Sequence, residues 1–248
     1  MPAARRRPGR LVRGGLRWVA DGLFPSGANP HGVLPALLIL LAFVTGLVDA
    51  VSFLGLGRVF VANMTGNIVF LSFALAGEAQ MSRWASPAAL AAFGAGAWSA
   101  GRVIRWTANA RRAFAAATAV HALLVAAALA VALTAGHRAT WPQAALITLL
   151  ACGMGLQNAS VRALGVPDLV TNVLTTTLTG LAADTPGRAA LRRVASVAAM
   201  FLGALAGATF HLTTGPAPAL AAALILLATA ALMARGGLSR ERTPPGPA

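Results

Sequence analysis

The sequence predicts an all-α fold, a polytopic membrane helix bundle. Three observations predict it. The 248-residue chain is 57% apolar and only 10% charged, where a soluble domain carries about 25% charged residues. Its apolar residues gather in eight runs, most of them near the length of about 20 residues that a helix needs to cross a hydrocarbon core of about 30 Å. Its charge is one-sided, with 20 basic residues against 6 acidic ones, and the basic ones are all Arg, in short clusters between the apolar runs.

The same numbers exclude other classes. A net charge of +14 in a soluble protein points to nucleic acid, but here the arginines lack the interleaved aromatics of a single-strand binder, so no nucleic-acid partner is expected. One cysteine, Cys152, excludes an internal disulfide framework and a cysteine-based zinc cage. No Gly-x-Ser-x-Gly, His-Glu-x-x-His or phosphate-loop motif occurs. Neither enzymatic activity nor a metal or other cofactor is expected.

Residues 1–33 form a basic cytoplasmic segment. It holds Arg5, Arg6, Arg7, Arg10, Arg13 and Arg17 but no apolar core of signal-peptide type. Leu11, Val12, Leu16, Trp18, Val19, Leu23 and Phe24 suit a short helix lying on the membrane surface; a disordered basic tail is the other reading. The eight apolar segments lie near 34–54, 59–76, 87–104, 113–135, 143–164, 168–183, 194–212 and 217–234. The Pro-rich end, 235–248, reads as a disordered cytoplasmic tail.

The second and sixth segments differ from the rest. Asn63-Met-Thr-Gly-Asn67 interrupts the second, leaving Ile68–Ala76 as its clean apolar run. The sixth is short and carries Thr171, Asn172, Thr175, Thr176, Thr177 and Thr179. Arginine placement bears on topology. If all eight segments cross, the loop holding Arg105, Arg111 and Arg112 faces outward, against the positive-inside rule. If segments two and six stop short or re-enter, that loop, Arg162, Arg188, Arg192, Arg193 and both termini all face the cytoplasm. Six crossings plus two short segments is therefore the expected topology.

The odd segments occupy corresponding places in an internal repeat, 34–135 and 143–234. Gly46-Leu-Val-Asp-Ala matches Gly155-Leu-Gln-Asn-Ala, 109 positions on. Met64-Thr-Gly-Asn67 matches Leu174-Thr-Thr-Thr177, and each is followed by a small-residue helix, Gly94–Gly101 and Gly203–Gly207. Three crossings per half invert the second half relative to the first. Inverted repeats with interrupted helices near the midplane are a recurring transporter design.

The candidate solute- or ion-binding residues are the polar groups at membrane depth. Asp49 is the one acid well inside a long span. An intramembrane carboxylate faces the bundle interior and pairs or stays protonated. Thr45, Asp49 and Ser52 share one helix face. Asp49 reads as a proton or cation site or as a hydrogen-bond anchor for a solute; the structural readings are a cap for free amides at the start of the second segment and a hydrogen bond to the other repeat. Asn63, Thr65 and Asn67 surround Gly66, where a helix break exposes backbone groups to a cavity. In the second half, Asp168, Asn172, Thr175 and Thr179 form one helical stripe, with Asp168 after Pro167 as a helix start. Gln157 and Asn158 stand where the first half has Val48 and Asp49. Four features read as structural: Gly/Ala rows for close packing, a hydrogen-bonded His121, interfacial Trp84, Trp106 and Trp141, and Cys152 as a small packing residue.

Thr45-Gly-Leu-Val-Asp-Ala-Val-Ser-Phe-Leu and Leu56-Gly-Arg-Val-Phe-Val-Ala-Asn-Met-Thr-Gly-Asn67 resemble the YoaK-like family of bacterial multi-pass membrane proteins, domain of unknown function 1275. Gly155-Leu-Gln-Asn-Ala and Val173–Gly180 resemble its second signature, departing at Thr176 where a Gly is expected. The likeness covers about residues 35–234. It implies a multi-pass protein of the bacterial inner membrane and names no substrate. The functional expectation is a transporter of a small solute or ion, with its cavity between the two short segments. The alternative is a non-transporting scaffold or partner-binding protein whose polar residues are structural. The expected partners are the lipid bilayer and an unidentified solute or ion.

Overall fold

The computed structural model describes residues 8–24, 31–107, 109–169, 174–183 and 187–238, and all regular structure among them is helical. The helices are α1 (Pro8–Leu23), α2 (Leu34–Gly55), α3 (Met64–Ala76), α4 (Ala85–Thr107), α5 (Ala110–Thr134), α6 (Thr140–Leu164), α7 (Leu174–Ala183), α8 (Arg188–Thr214) and α9 (Pro216–Leu238).

Local chemistry sets the boundaries. Pro35 stands at the start of α2, where no amide donor is required, and Gly57 and Arg58 beyond its end take left-handed conformations (φ 85° and 56°). That pair reverses the chain before α3. Asn63 caps α3 by accepting from the Gly66 amide, and Asn109 caps α5 by accepting from the Arg112 amide. Both use the short side-chain oxygen that suits a helix start. Gly77 and Gly165 end α3 and α6 in the left-handed conformation that only glycine adopts freely.

Five helices, α2, α5, α6, α8 and α9, are long and apolar enough to cross a membrane. They expose large apolar side chains, such as Leu123, Phe201 and Ile225, as a lipid-facing surface requires. α4 has the length, with 23 residues, but is not among those five. α3 and α7, with 13 and 10 residues, reach about 20 and about 15 Å at 1.5 Å per residue, well short of a bilayer core.

Some expected boundaries need correction. The Asn63–Asn67 stretch does not interrupt a helix; it begins one, because Asn63 is the cap and Thr65, Gly66 and Asn67 lie in or next to the first turn of α3. The break lies upstream, at residues 56–63. Asp168 does not start a helix. It sits in a turn with φ 61°, and α7 begins at Leu174. Of the expected stripe, Asn172 lies outside the described residues, and Asp168 lies in the turn rather than on α7. At the chain ends, α1 realises the helical reading of the N-terminal segment, and α9 continues past residue 235 to Leu238.

Four helices make the centre. α5 packs on both α6 and α9, α9 also packs on α2, and α2 meets α6 along a narrow seam. α8 flanks α2 and α4 flanks α6; α7 leans on α8 and α3 on α4. The core is aliphatic, with Leu37, Leu41, Leu47, Ile147, Leu150 and Leu220 almost wholly buried. α1 rests on α2 and α8 through Ala20, Leu23 and Phe24, leaving Trp18 and Val19 outside.

The two most extensive contacts, α2 on α8 and α6 on α4, use the same device. At Gly46 a Cβ would overlap the Met200 carbonyl and come within 2.7 Å of the Ala204 amide nitrogen. At Gly155 it would overlap the Phe93 carbonyl and come within 2.9 Å of the Ala97 amide nitrogen. The partner helices answer with Gly203, which faces the Phe43 carbonyl, and Gly96, which faces the Cys152 carbonyl. Backbones meet directly at both crossings, as small-residue interfaces in membranes allow.

Gly46→Ala and Gly155→Ala are therefore expected to destabilise the protein by about 1–3 kcal/mol each, the usual cost of forcing atoms into a packed site. Gly94→Ala, whose Cβ meets nothing within 4 Å, is expected to gain about 0.5–1 kcal/mol from helix propensity. Thermal unfolding in detergent checks the opposite signs. A Gly46→Ala protein as stable as Gly94→Ala contradicts the backbone crossing.

Candidate functional site: a helix-break anchor and a buried polar seam

Polar side chains cluster at two depths. The first cluster closes the break between α2 and α3. Asp49 is 5% exposed, and its Oδ1 accepts from the amides of Val61 (2.9 Å) and Ala62 (2.8 Å). Asn67 is fully buried. Its Oδ1 accepts from the Phe60 amide at 2.9 Å and its Nδ2 donates to the Phe60 carbonyl at 2.7 Å, so it pairs with the backbone as a neighbouring strand would. Ser52 donates to the Asp49 carbonyl. Phe53, Phe60 and Phe70 stack over the break with centroids 5.0–5.8 Å apart. Asp49 thus takes the capping geometry, one carboxylate oxygen serving amides that precede α3. Asn63 and Thr65 face outward.

The second cluster lies on the seam between α2 and α6, with α5 beside it. Gln157 donates through Nε2 to Thr45 Oγ1 at 3.1 Å, and Thr45 donates to the Leu41 carbonyl at 2.9 Å. His121 is fully buried against Gly153. It was expected to be hydrogen-bonded, and Gln157 is the side chain that faces it, with neither ring nitrogen nor Gln157 Oε1 in a bond of good length and angle. Asn158, which stands where the first half has Asp49, donates to the Met154 carbonyl. The seam therefore joins the first helices of both halves through one side-chain hydrogen bond 112 positions apart in sequence. No local spacing marks that pair. Thr45 is legible only as a face-mate of Asp49, and His121 only as a lone polar residue in an apolar run.

The second half places its polar residues differently. Asn172 lies outside the described residues. Thr175 and Thr179 are exposed on α7, while Thr177 is buried. Asp168 pairs with Arg192 at 2.6 Å and Arg193 at 2.9 Å. Arg192 also lies 4.6 Å above the Phe24 ring, which ties α1, the turn before α7 and the start of α8 together. Since α3 leans on α4 and α7 on α8, the two short helices share no substantial contact. Among the described residues no group of three or more His, Cys, Asp or Glu is placed to hold a metal.

Five apolar spanning helices with polar groups turned inward define a multi-pass α-helical membrane protein. The family described as "Protein of unknown function (DUF1275)" matches residues 37–233, and the chain belongs to it. The chain is also 36% identical over 154 residues to the UPF0700 transmembrane protein YoaK of Bacillus subtilis (strain 168), covering 61% of this chain and 67% of that relative. No solved structure matches.

Asp49→Ala leaves the Val61 and Ala62 amides without an acceptor, at about 1–3 kcal/mol for each orphaned group. Asp49→Asn keeps an oxygen there and is expected to lose less. Hydrogen–deuterium exchange is expected to accelerate at Val61 and Ala62 in the alanine variant and much less in the asparagine variant. Unchanged protection in Asp49→Ala would remove the anchor from this description.

Proposed function

We propose that this protein transports a small solute or ion across the bacterial inner membrane. It does so with two repeats, α2–α5 and α6–α9, inserted in opposite orientation, with six crossings and both termini in the cytoplasm. The observation that carries the proposal is the α2–α6 seam. The first helices of the two halves meet there narrowly, and each is seated instead on the third helix of the opposite half. Two helix pairs result, α2 with α8 and α6 with α4, held by backbone contact within each; Thr45 and Gln157 bridge them along the seam, and α5 with α9 joins them beside it.

Other features support the same reading. Alternating access in repeat transporters is largely the rocking of one bundle against another around a midplane site, and a narrow polar seam between tightly packed helix pairs suits that motion. α3 and α7 are each too short to cross, which fits three crossings per half. The arginine clusters then obey the positive-inside rule. In this proposal the solute-facing groups are those of the seam, with Asn158 beside them. Asp49, Ser52 and Asn67 hold the polypeptide break in shape, and no catalytic step is assigned.

A thermal-shift screen of small solutes and cations on the purified protein tests the proposal. At least one solute is expected to stabilise it, and saturation at about 100 times Kd corresponds to about 2.7 kcal/mol. That stabilisation is expected to vanish in Thr45→Val and to persist in Thr209→Val, a lipid-side control whose hydroxyl bonds only its own helix. A stabilising solute indifferent to Thr45→Val would place the binding elsewhere, and a screen with no response would count against transport.

A further inference from the structure

The outer face of α4 carries a cation between two indoles. Trp98, Arg102 and Trp106 recur at every fourth residue and share one side of the helix. The Arg102 guanidinium lies 5.4 Å from the Trp98 ring centroid and 5.0 Å from that of Trp106. Both indoles are exposed, at 63% and 76%, and so is Arg102. Cation–π attraction from the two rings holds the guanidinium against the helix. It leaves the five N–H donors without an acceptor. Among the described residues Arg102 has no hydrogen-bond or ion-pair partner.

The opposite face of α4 sets the depth of this group. Gly96 meets the backbone of Cys152, which stands midway along the spanning helix α6. Arg102 comes six residues after Gly96, a rise of about 9 Å. Half a hydrocarbon core is about 15 Å thick. The backbone of Arg102 therefore lies beside hydrocarbon, and its side chain points away from the bundle. Trp106 reaches about 15 Å from the middle, the interfacial level that tryptophan favours. A cation at this depth with no protein acceptor takes one from the headgroup layer, reaching toward it along its own aliphatic stem.

The chemistry of that acceptor follows. A phosphate diester offers two oxygens that match the planar guanidinium fork. Charge selects the rest of the headgroup. Arg105, Arg111 and Arg112 follow at the same end, and residues 85–112 contain no acidic side chain. A zwitterionic headgroup brings its own cation against these arginines, whereas an anionic headgroup does not.

We propose that Trp98, Arg102 and Trp106 form a binding site for one anionic phospholipid, its phosphate on the Arg102 guanidinium and its acyl chains along the exposed Trp98 and Val103 of α4. The site is independent of the transport reading. It requires α4 to lie along the bilayer, and nothing has to cross.

Quenching of tryptophan fluorescence by brominated lipids tests it. The chain has five tryptophans, and Trp18→Phe, Trp84→Phe and Trp141→Phe leave Trp98 and Trp106 as reporters. The protein is placed in nanodiscs of unbrominated phosphatidylcholine with a minor share of brominated phosphatidylglycerol or of brominated phosphatidylcholine. The phosphatidylglycerol is expected to quench more strongly. Arg102→Gln, an exposed change that leaves the packing intact, is expected to reduce that enrichment about fivefold, the effect of one interfacial arginine. The ratio of the two quenchers is read within each variant, so altered intrinsic emission does not imitate the result. Arg138→Gln, beyond the far end of α5, is expected to keep the enrichment. Equal quenching by the two lipids, or quenching by neither, overturns the proposal, and so does enrichment unchanged in Arg102→Gln. An equal loss in Arg138→Gln overturns it too, because general charge attraction then accounts for the effect. Reversal by inorganic phosphate, but not by sodium chloride at the same ionic strength, means that the arginine takes the free anion and overturns the lipid assignment.

Discussion

The structure depends on one constraint: in hydrocarbon every backbone amide and carbonyl needs a partner within the protein. Unbroken helices meet it automatically. A chain that reverses between α2 and α3 does not. Residues 56–63 leave helical geometry, and the polar side chains of the first half are placed to answer that exit. Asp49 takes the amides of Val61 and Ala62, and Asn67 takes both backbone groups of Phe60. Three phenylalanine rings cover the break. A carboxylate buried in a span is costly unless it is bonded, and here the break itself supplies the bonds. The short helix and the intramembrane acid are therefore one feature.

The two helix crossings are built alike, and the polar chemistry around them differs. Gly46 with Gly203 and Gly155 with Gly96 bring backbones together in the same way at both crossings. At the positions that match Asp49 and Asn67, the second half has Asn158 and Thr177. It uses a largely buried ion-pair cluster, Asp168 with Arg192 and Arg193, in the turn after α6. Arg192 also stacks on Phe24, so the N-terminal helix is joined to that cluster. The first half is thus anchored by backbone hydrogen bonds at depth and the second by charge near an end.

Much of the fold was legible in the sequence because apolar run length and small-residue rows are local signals. The five apolar spanning helices, the shortness of α3 and α7 and the Gly46/Gly155 correspondence all rest on such signals. The start of α3 was misplaced because Thr-Gly-Asn has low helix propensity, and the Asn63 cap overrides it. Pro167-Asp168 suits a helix start, but Arg192 and Arg193 from α8 pair with Asp168 in a turn. Capping was among the readings open for Asp49, and its Oδ1 accepts from the amides of Val61 and Ala62. The seam was beyond sequence reasoning. Thr45 and Gln157 meet only because α2 and α6 cross, and His121 joins them only through α5.

The central claim of the transport proposal is that the α2–α6 seam opens to water as the α2–α8 and α6–α4 pairs rock against each other. Accessibility of a single cysteine at Thr45 tests it most directly, in a Cys152→Ala background reconstituted into vesicles. Transport predicts that a water-soluble, membrane-impermeant thiol reagent modifies Thr45→Cys slowly from each side of the membrane, while a core control, Leu220→Cys, stays unmodified. Protection of Thr45→Cys equal to that of Leu220→Cys from both sides would contradict an opening seam and leave the buried polar residues as structure alone.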